Sequence, residues 1–375
     1  MAGFFSSGRL RKRRRGSGRA AGTMAGLLGA AMGLAVPAAA LVSQAKRKAP
    51  PKPKPRRKPA ATPAARIAGS KPLRRAADAA PMRGSSFRSA VFRCEHGERR
   101  YKVFIPGCAA ASVTPLPVLV MLHGCGQTPD DFARGTGMNA IAEERGLLVV
   151  YPQQPREAHP GRCWNWFRPA DQGREAGEPA LLAALTRHVL SRHHADPARV
   201  YVAGLSAGAS AALVLAETHP DLFAAVGAHS GLPVGAARDN ASAVIAMQRG
   251  NPGQRRSTAV PTIAFHGSAD RVVHPRNGRL IAIRAVEPYA ALRRTETAGQ
   301  VAQGRAYVKT VHRIGKGRPC VEHWSVTASG HAWSGGSSRG RFTDPAGPDA
   351  SREMVRFFLR HRLSARRAGP AAPGG

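Results

Sequence analysis

Five short runs in this chain are apolar on almost every residue: Val118–Leu122, Leu147–Tyr151, Val200–Ala203, Ala224–Ala228 and Thr262–Phe265. A strand with one face in water alternates apolar and polar residues, whereas these have no polar face to offer. They must be covered on both sides, which is the condition of a mostly parallel sheet flanked by helices. Segments of crossover length lie between them. One, over residues 130–146, places Phe132, Met138, Ile141 and Ala142 at helical spacing; another starts at Glu178 and is expected to close in a turn at Asp196-Pro197. A further strand is expected over Glu322–Thr327. The fold class read from this pattern is α/β, with helices on both faces of the sheet. Residues 87–365 suit one such core, and no internal repeat interrupts them.

In a sheet of this kind ligands sit at the carboxyl ends of the strands. The run at 200–203 leads directly into Gly204-Leu205-Ser206-Ala207-Gly208, the G-x-S-x-G pattern of a nucleophile elbow. A helix expected from Ala207 to about Thr218 aims its N-terminal amides at the hydroxyl, where they can stabilise negative charge. A serine hydroxyl needs a base, and the chain order in this fold class is serine, acid, histidine. Asp270 lies just past the strand expected over Thr262–His266, and His331 lies in a glycine-flanked loop after the strand at 322–327. Asp221, Asp344 and Asp349 are rival acids without a preceding strand. His323 lies inside a strand, and His274 follows the acid too closely. The catalytic set expected is therefore Ser206, Asp270 and His331. The oxyanion hole should use the Ala207 amide and a second amide from His123-Gly124-Cys125-Gly126, donated by Cys125 or Gly126. His123 and Gly124 of that loop are expected to face the substrate.

Net charge is +35, and much of it is local: residues 1–86 hold 20 Lys and Arg against one acid, Asp78, leaving +16 on the remainder. A cationic block at 9–19 precedes an uncharged stretch at 20–42 that ends in small residues, the order of a secretory signal or N-terminal anchor. The alternative is a basic tail with no targeting role, and a start at Met24 would remove the block altogether. Residues 43–86 are Lys, Arg, Pro and Ala with almost no large apolar side chain, so a disordered linker is expected. Its charge suits non-specific contact between residues 9–86 and polyanions or anionic membranes. No aromatic residue interleaves the linker charges, so specific nucleic-acid binding is not expected. Residues 366–375 read as a disordered tail. No C-x-x-C or H-x-x-x-H pairing is found, so no metal is expected, and the chemistry requires no cofactor. No separate substrate-binding module is recognisable, which predicts weak action on crystalline polymer.

HGCGQTPDDFA, CWNWF, GLSAGAS, HGSADRVV and GHAWSGG together resemble the polyhydroxybutyrate depolymerase-type esterases, α/β-hydrolases with feruloyl and acetyl-xylan esterase relatives. The resemblance covers about residues 95–360. It implies an α/β-hydrolase fold, a triad of Ser206, Asp270 and His331, and Cys125 as the oxyanion donor. It also implies a disulfide from Cys125 to Cys163, which needs an oxidising compartment. With five cysteines at least one thiol stays free; the alternative is five reduced, buried cysteines in a cytoplasmic protein. Trp166, beside the implied bridge, and Trp333, two residues from His331, are candidates for the substrate pocket. The function implied is hydrolysis of hydroxyalkanoate esters or, alternatively, of feruloyl or acetyl esters on plant polysaccharide. The competing class is a polyanion-binding protein with an inactive hydrolase domain.

Overall fold

The computed structural model describes residues 84–364. The signal-like segment at 1–42, the linker up to residue 83 and the tail at 366–375 lie outside the described residues. The chain opens with an antiparallel hairpin, β1 (Ser86–Cys94) and β2 (Gly97–Ile105). The alternating part follows: β3 (Leu116–Leu122), α1 (Pro129–Thr136), α2 (Met138–Arg145), β4 (Leu148–Pro152), α3 (Gly177–Arg192), β5 (Ala195–Leu205), α4 (Ala207–Thr218), β6 (Ala225–His229), α5 (Asn240–Arg249), β7 (Thr262–Gly267) and α6 (Arg276–Val286). A second hairpin, β8 (Arg293–Gln300) and β9 (Ala306–Arg313), leads to β10 (Pro319–Val326). A two-residue pair, β11 (Trp333–Ser334) and β12 (Thr343–Asp344), precedes α7 (Ala350–Phe358).

Ten strands form one sheet in the order β1-β2-β4-β3-β5-β6-β7-β10-β9-β8. The six central strands pair in parallel, and the outer pairings are antiparallel. Both faces are covered, as the apolar runs require. On one face Val118, Val120 and Val202 meet Leu182 and Leu185 of α3 and Val214 and Leu215 of α4. On the other Leu119, Met121 and Tyr201 meet Phe132 of α1, Ile141 of α2 and Phe357 and Phe358 of α7. Alternate residues of β3 thus enter opposite layers, the two-residue period of a strand applied to a sequence with no polar side.

The structure departs from the sequence reading at several points. The helix expected over 130–146 is two helices, because Gly137 adopts φ 62° and closes α1 before α2 begins. The turn expected at Asp196-Pro197 lies inside the first residues of β5, where the Asp196 carboxylate accepts the Ala198 N–H and the register against β3 shifts. The strand expected from Glu322 to Thr327 runs from Pro319 to Val326. Strands β1, β2, β8 and β9 carry no fully apolar run and were not expected. β8 reads RRTETAGQ and is largely exposed, the charged composition that guards a sheet edge. Because β1 starts at Ser86, paired with Ile105, the folded part begins within the segment read as linker.

Candidate active site

Ser206 caps the junction of β5 and α4 with φ 58° and ψ −121°, a strained backbone for a residue with a side chain. The conformation is fixed on both sides. The Ser206 N–H donates to the His229 carbonyl at 2.9 Å, and its carbonyl accepts from Ala209 and Ser210. The flanking glycines are required by contact. A Cβ on Gly208 would stand 2.1 Å from the Leu122 carbonyl oxygen, so the start of α4 lies directly on the end of β3.

β7 and β10 are parallel neighbours, so the loops after them emerge at one edge of the sheet. Asp270 follows β7 and His331 follows β10. The His331 Nδ1–H donates to Asp270 Oδ2 at 2.8 Å. Asp270 Oδ1 accepts the amides of Val272 and Val273 at 2.9 and 2.8 Å, and its side chain is fully buried. Burial opposes its charge, but hydrogen bonds from the His266 and His331 rings and the Val273 amide outweigh that effect. They hold the carboxyl well below the usual carboxylate range. The rival acids are otherwise engaged: Asp221 with Arg174, Asp344 with Arg305 and Ser329, and Asp349 as the N-cap of α7. His323 is buried in β10, its pKa lowered by burial to about 4. His274 is exposed and accepts the Arg276 N–H.

The loop after β3 follows at the same edge. Within it the Gly124 N–H donates to Gln127 Oε1, the Gly126 N–H to the Gly161 carbonyl and the Gln127 N–H to the Gly124 carbonyl. Among the described residues neither the Cys125 amide nor the Ala207 amide has an internal acceptor. The sequence alone leaves the second donor open between Cys125 and Gly126, and the resemblance implies Cys125; the Gly126 N–H is engaged with Gly161. Cys125 and Cys163 form a disulfide, with Cα atoms 4.3 Å apart, while Cys94, Cys108 and Cys320 are free.

The expected substrate-facing residues are corrected. His123 is buried: its Nε2 accepts the Gln154 N–H, so Nδ1 carries the proton and donates to the Gly124 carbonyl. Burial lowers its pKa to about 4, and the neutral ring acts as a brace for the loop. Gly124 is buried with it. Trp333 is 1% exposed; its indole N–H donates to Ser351 Oγ and its ring lies against Phe132 and His229. Trp166 is buried beside Leu182, Ala211 and Val214, between α3 and α4. These three rings are packing, because each is enclosed by helices or loops.

Two histidines at this edge escaped the sequence reading. His266, near the end of β7, donates through Nε2 to the Val273 carbonyl at 2.8 Å and stands 3.4 Å from Asp270 Oδ2. His229 ends β6, stacks between Phe265 and Trp333, and accepts the Ser334 N–H at Nε2. Its pKa falls to about 3, by burial first and then by the neighbouring His266 and His331. The only signal either gave was its place at the carboxyl end of an apolar run.

The family described as esterase PHB depolymerase matches residues 99–288, about half of the chain. The chain belongs to that family. Within this PHB depolymerase family setting, its sequence is 32% identical to poly(3-hydroxyalkanoate) depolymerase C of Paucimonas lemoignei over 232 residues, 57% of this chain and 54% of the relative. It is 30% identical to feruloyl esterase B of Neurospora crassa over 183 residues, 42% of this chain and 60% of that one. The chain thus spans little more than half the length of these relatives. Among solved structures, an acetyl xylan esterase from Aspergillus awamori superposes with a TM-score of 0.57 at 19% identity, covering 73% of this chain and 99% of that one. The shared fold is that of the α/β-hydrolase esterases, as the sequence resemblance implied.

Proposed function

We propose that the protein is a serine esterase that hydrolyses short hydroxyalkanoate esters or oligomers through an acyl-enzyme. Ser206 Oγ attacks the ester carbonyl carbon while His331 Nε2 takes the hydroxyl proton. Asp270 keeps Nδ1 protonated and stabilises the imidazolium that forms. The carbonyl oxygen becomes an oxyanion held by the amides of Cys125 and Ala207. The bond to the leaving alcohol breaks, and His331 returns its proton to that alcohol. Water then attacks the acyl carbon, giving a proton to His331, and the acid departs as Ser206 recovers its hydrogen. The observation that carries this reading is the 2.8 Å bond from His331 Nδ1 to a buried Asp270, at the same sheet edge as a strained Ser206.

Ser206→Ala tests it. Hydrolysis of a chromogenic butyrate ester should fall by on the order of 10⁴ to 10⁶ with the fold intact. A serine-directed phosphonate should label Ser206 alone. Wild-type activity in the alanine variant would remove the proposal.

The named relatives support a second reading for substrate, in which the same residues release ferulate or acetate from plant polysaccharide. A panel of hydroxybutyrate oligomers, feruloyl esters and acetylated xylan separates the two by kcat/KM. The disulfide supports a secreted or periplasmic location, since such bonds persist in oxidising compartments. Among the described residues no helix is long and apolar enough to cross a membrane. Residues 9–86 would add non-specific attraction to anionic surfaces.

A further inference from the structure

Gly126 is exposed in the loop after β3. It has φ 71°, and a Cβ placed on it would meet nothing within 4 Å, so no neighbour packs against that side. Hydrogen bonds hold it. On one side its N–H reaches the Gly161 carbonyl, near the disulfide. On the other its carbonyl accepts Arg341 Nη2 at 2.5 Å.

Arg341 comes from the segment between β11 and β12, ten residues after His331. It touches the loop after β3 and the first turn of α1 through its backbone as well. Its carbonyl accepts Gln127 Nε2 at 3.1 Å, and its N–H donates to Asp131 Oδ1 at 3.2 Å. Asp131 is buried; its Oδ2 accepts Gln127 Nε2 at 3.0 Å and lies 3.4 Å from Arg341 Nε. Gln127 in turn holds the Gly124 N–H. The His123–Gly124 and Gly126–Gln127 peptides, each one unit beyond the two peptides of Cys125, are therefore tied, through Arg341, Gln127 and Asp131, to the segment that carries His331. The Arg341 side chain is 59% exposed. An ion pair in that setting adds little to stability, so its strongest effect is on orientation.

We propose that Arg341 is a positioning residue for the oxyanion site. Its side chain orients the Gly126–Gln127 peptide, two peptide units after the Cys125 amide, and so fixes the distance between that amide and the His331 loop. The proposal rests on the esterase reading above. Oxyanion donors act on the transition state more than on the bound ester, and small misplacements lower rate far more than affinity.

The test is Arg341→Gln in the full chain, assayed with a chromogenic butyrate ester and an alkylboronic acid that mimics the tetrahedral adduct. kcat should fall about 10- to 100-fold while KM stays within about twofold. Boronate affinity should fall by the same factor as kcat. The melting temperature should stay near that of the wild type, and millimolar methylguanidinium should restore part of the rate in Arg341→Ala. Unchanged kcat would overturn the proposal. So would a raised KM at constant kcat, which would make Arg341 a substrate contact. A kcat loss matched by a large drop in melting temperature, with no rescue, would make it merely structural and overturn it too. Ser206→Ala, run in parallel, distinguishes the two failures. Hydrolysis that survives it removes the esterase reading and this proposal together; hydrolysis that it abolishes, with Arg341→Gln unaffected, removes this proposal alone.

Discussion

Asp270 remains charged in a buried place because three groups donate hydrogens to it, the His331 ring and two backbone amides, with the His266 ring 3.4 Å away. That arrangement selects one imidazole tautomer, with the proton on His331 Nδ1 and a lone pair on Nε2. Asp270→Asn keeps the volume but presents an amide that stabilises the opposite tautomer. In the proposed mechanism, kcat on a butyrate ester should drop by about 10⁴ with little change in KM. Near-normal turnover in steady-state kinetics would show that another residue serves as the acid. The shared sheet edge of Ser206, Asp270 and His331 was legible in the sequence because each follows an expected strand, in the chain order of the fold class. His229 and His266 were not, since a histidine within an apolar run reads as core. Trp333 was misread for a different reason. Closeness to His331 in sequence does not set direction, and the β11–β12 pairing turns the indole inward against Ser351.

At the scale of elements, the loop after β3 is the least regular part of the site and the most heavily tied. The disulfide closes a loop of 38 residues. In the chain-entropy account such a closure is worth roughly 4 kcal/mol at 25 °C. Its local effect should exceed its global one, because Cys125 also carries a proposed oxyanion amide. The double variant Cys125→Ser, Cys163→Ser should lose about tenfold or more in kcat while its far-ultraviolet circular dichroism stays that of the wild type. Its thermal midpoint should fall as well. Full activity in the double variant would mean that Arg341 and Gly161 hold the loop unaided. The central strands were legible because burial on both faces leaves a composition few other structures require. The outer strands were not: β1 and β8 are each held only by a hairpin neighbour, and their charged, half-exposed residues fit a loop equally well.

For the whole molecule, buried neutral histidines set a limit on acid tolerance. His123, His229 and His323 are held at about 4, 3 and 4, against 6.5 for a free ring. The folded state therefore binds fewer protons than the unfolded chain across this interval. Above pH 6.5 all three rings are neutral in both states and the difference vanishes. As pH falls from 6.5 toward 4 the unfolded chain takes up protons that the folded one refuses, and stability declines, by an amount on the order of several kcal/mol in total. Denaturant midpoints measured from pH 7.5 down to 4 should fall steadily, and His323→Gln should flatten that slope. A midpoint independent of pH would mean that these rings protonate within the fold. The sheet order bears on timing as well. β10 joins the sheet beside β7, long after β5 in the chain, and brings His331 with it. During synthesis the serine elbow leaves the ribosome well before the histidine loop, and in the proposed mechanism Ser206 is inert without its base. On that mechanism a nascent chain thus travels with its serine unactivated until residue 331 has been made, so the order of residues along the chain would time the chemistry.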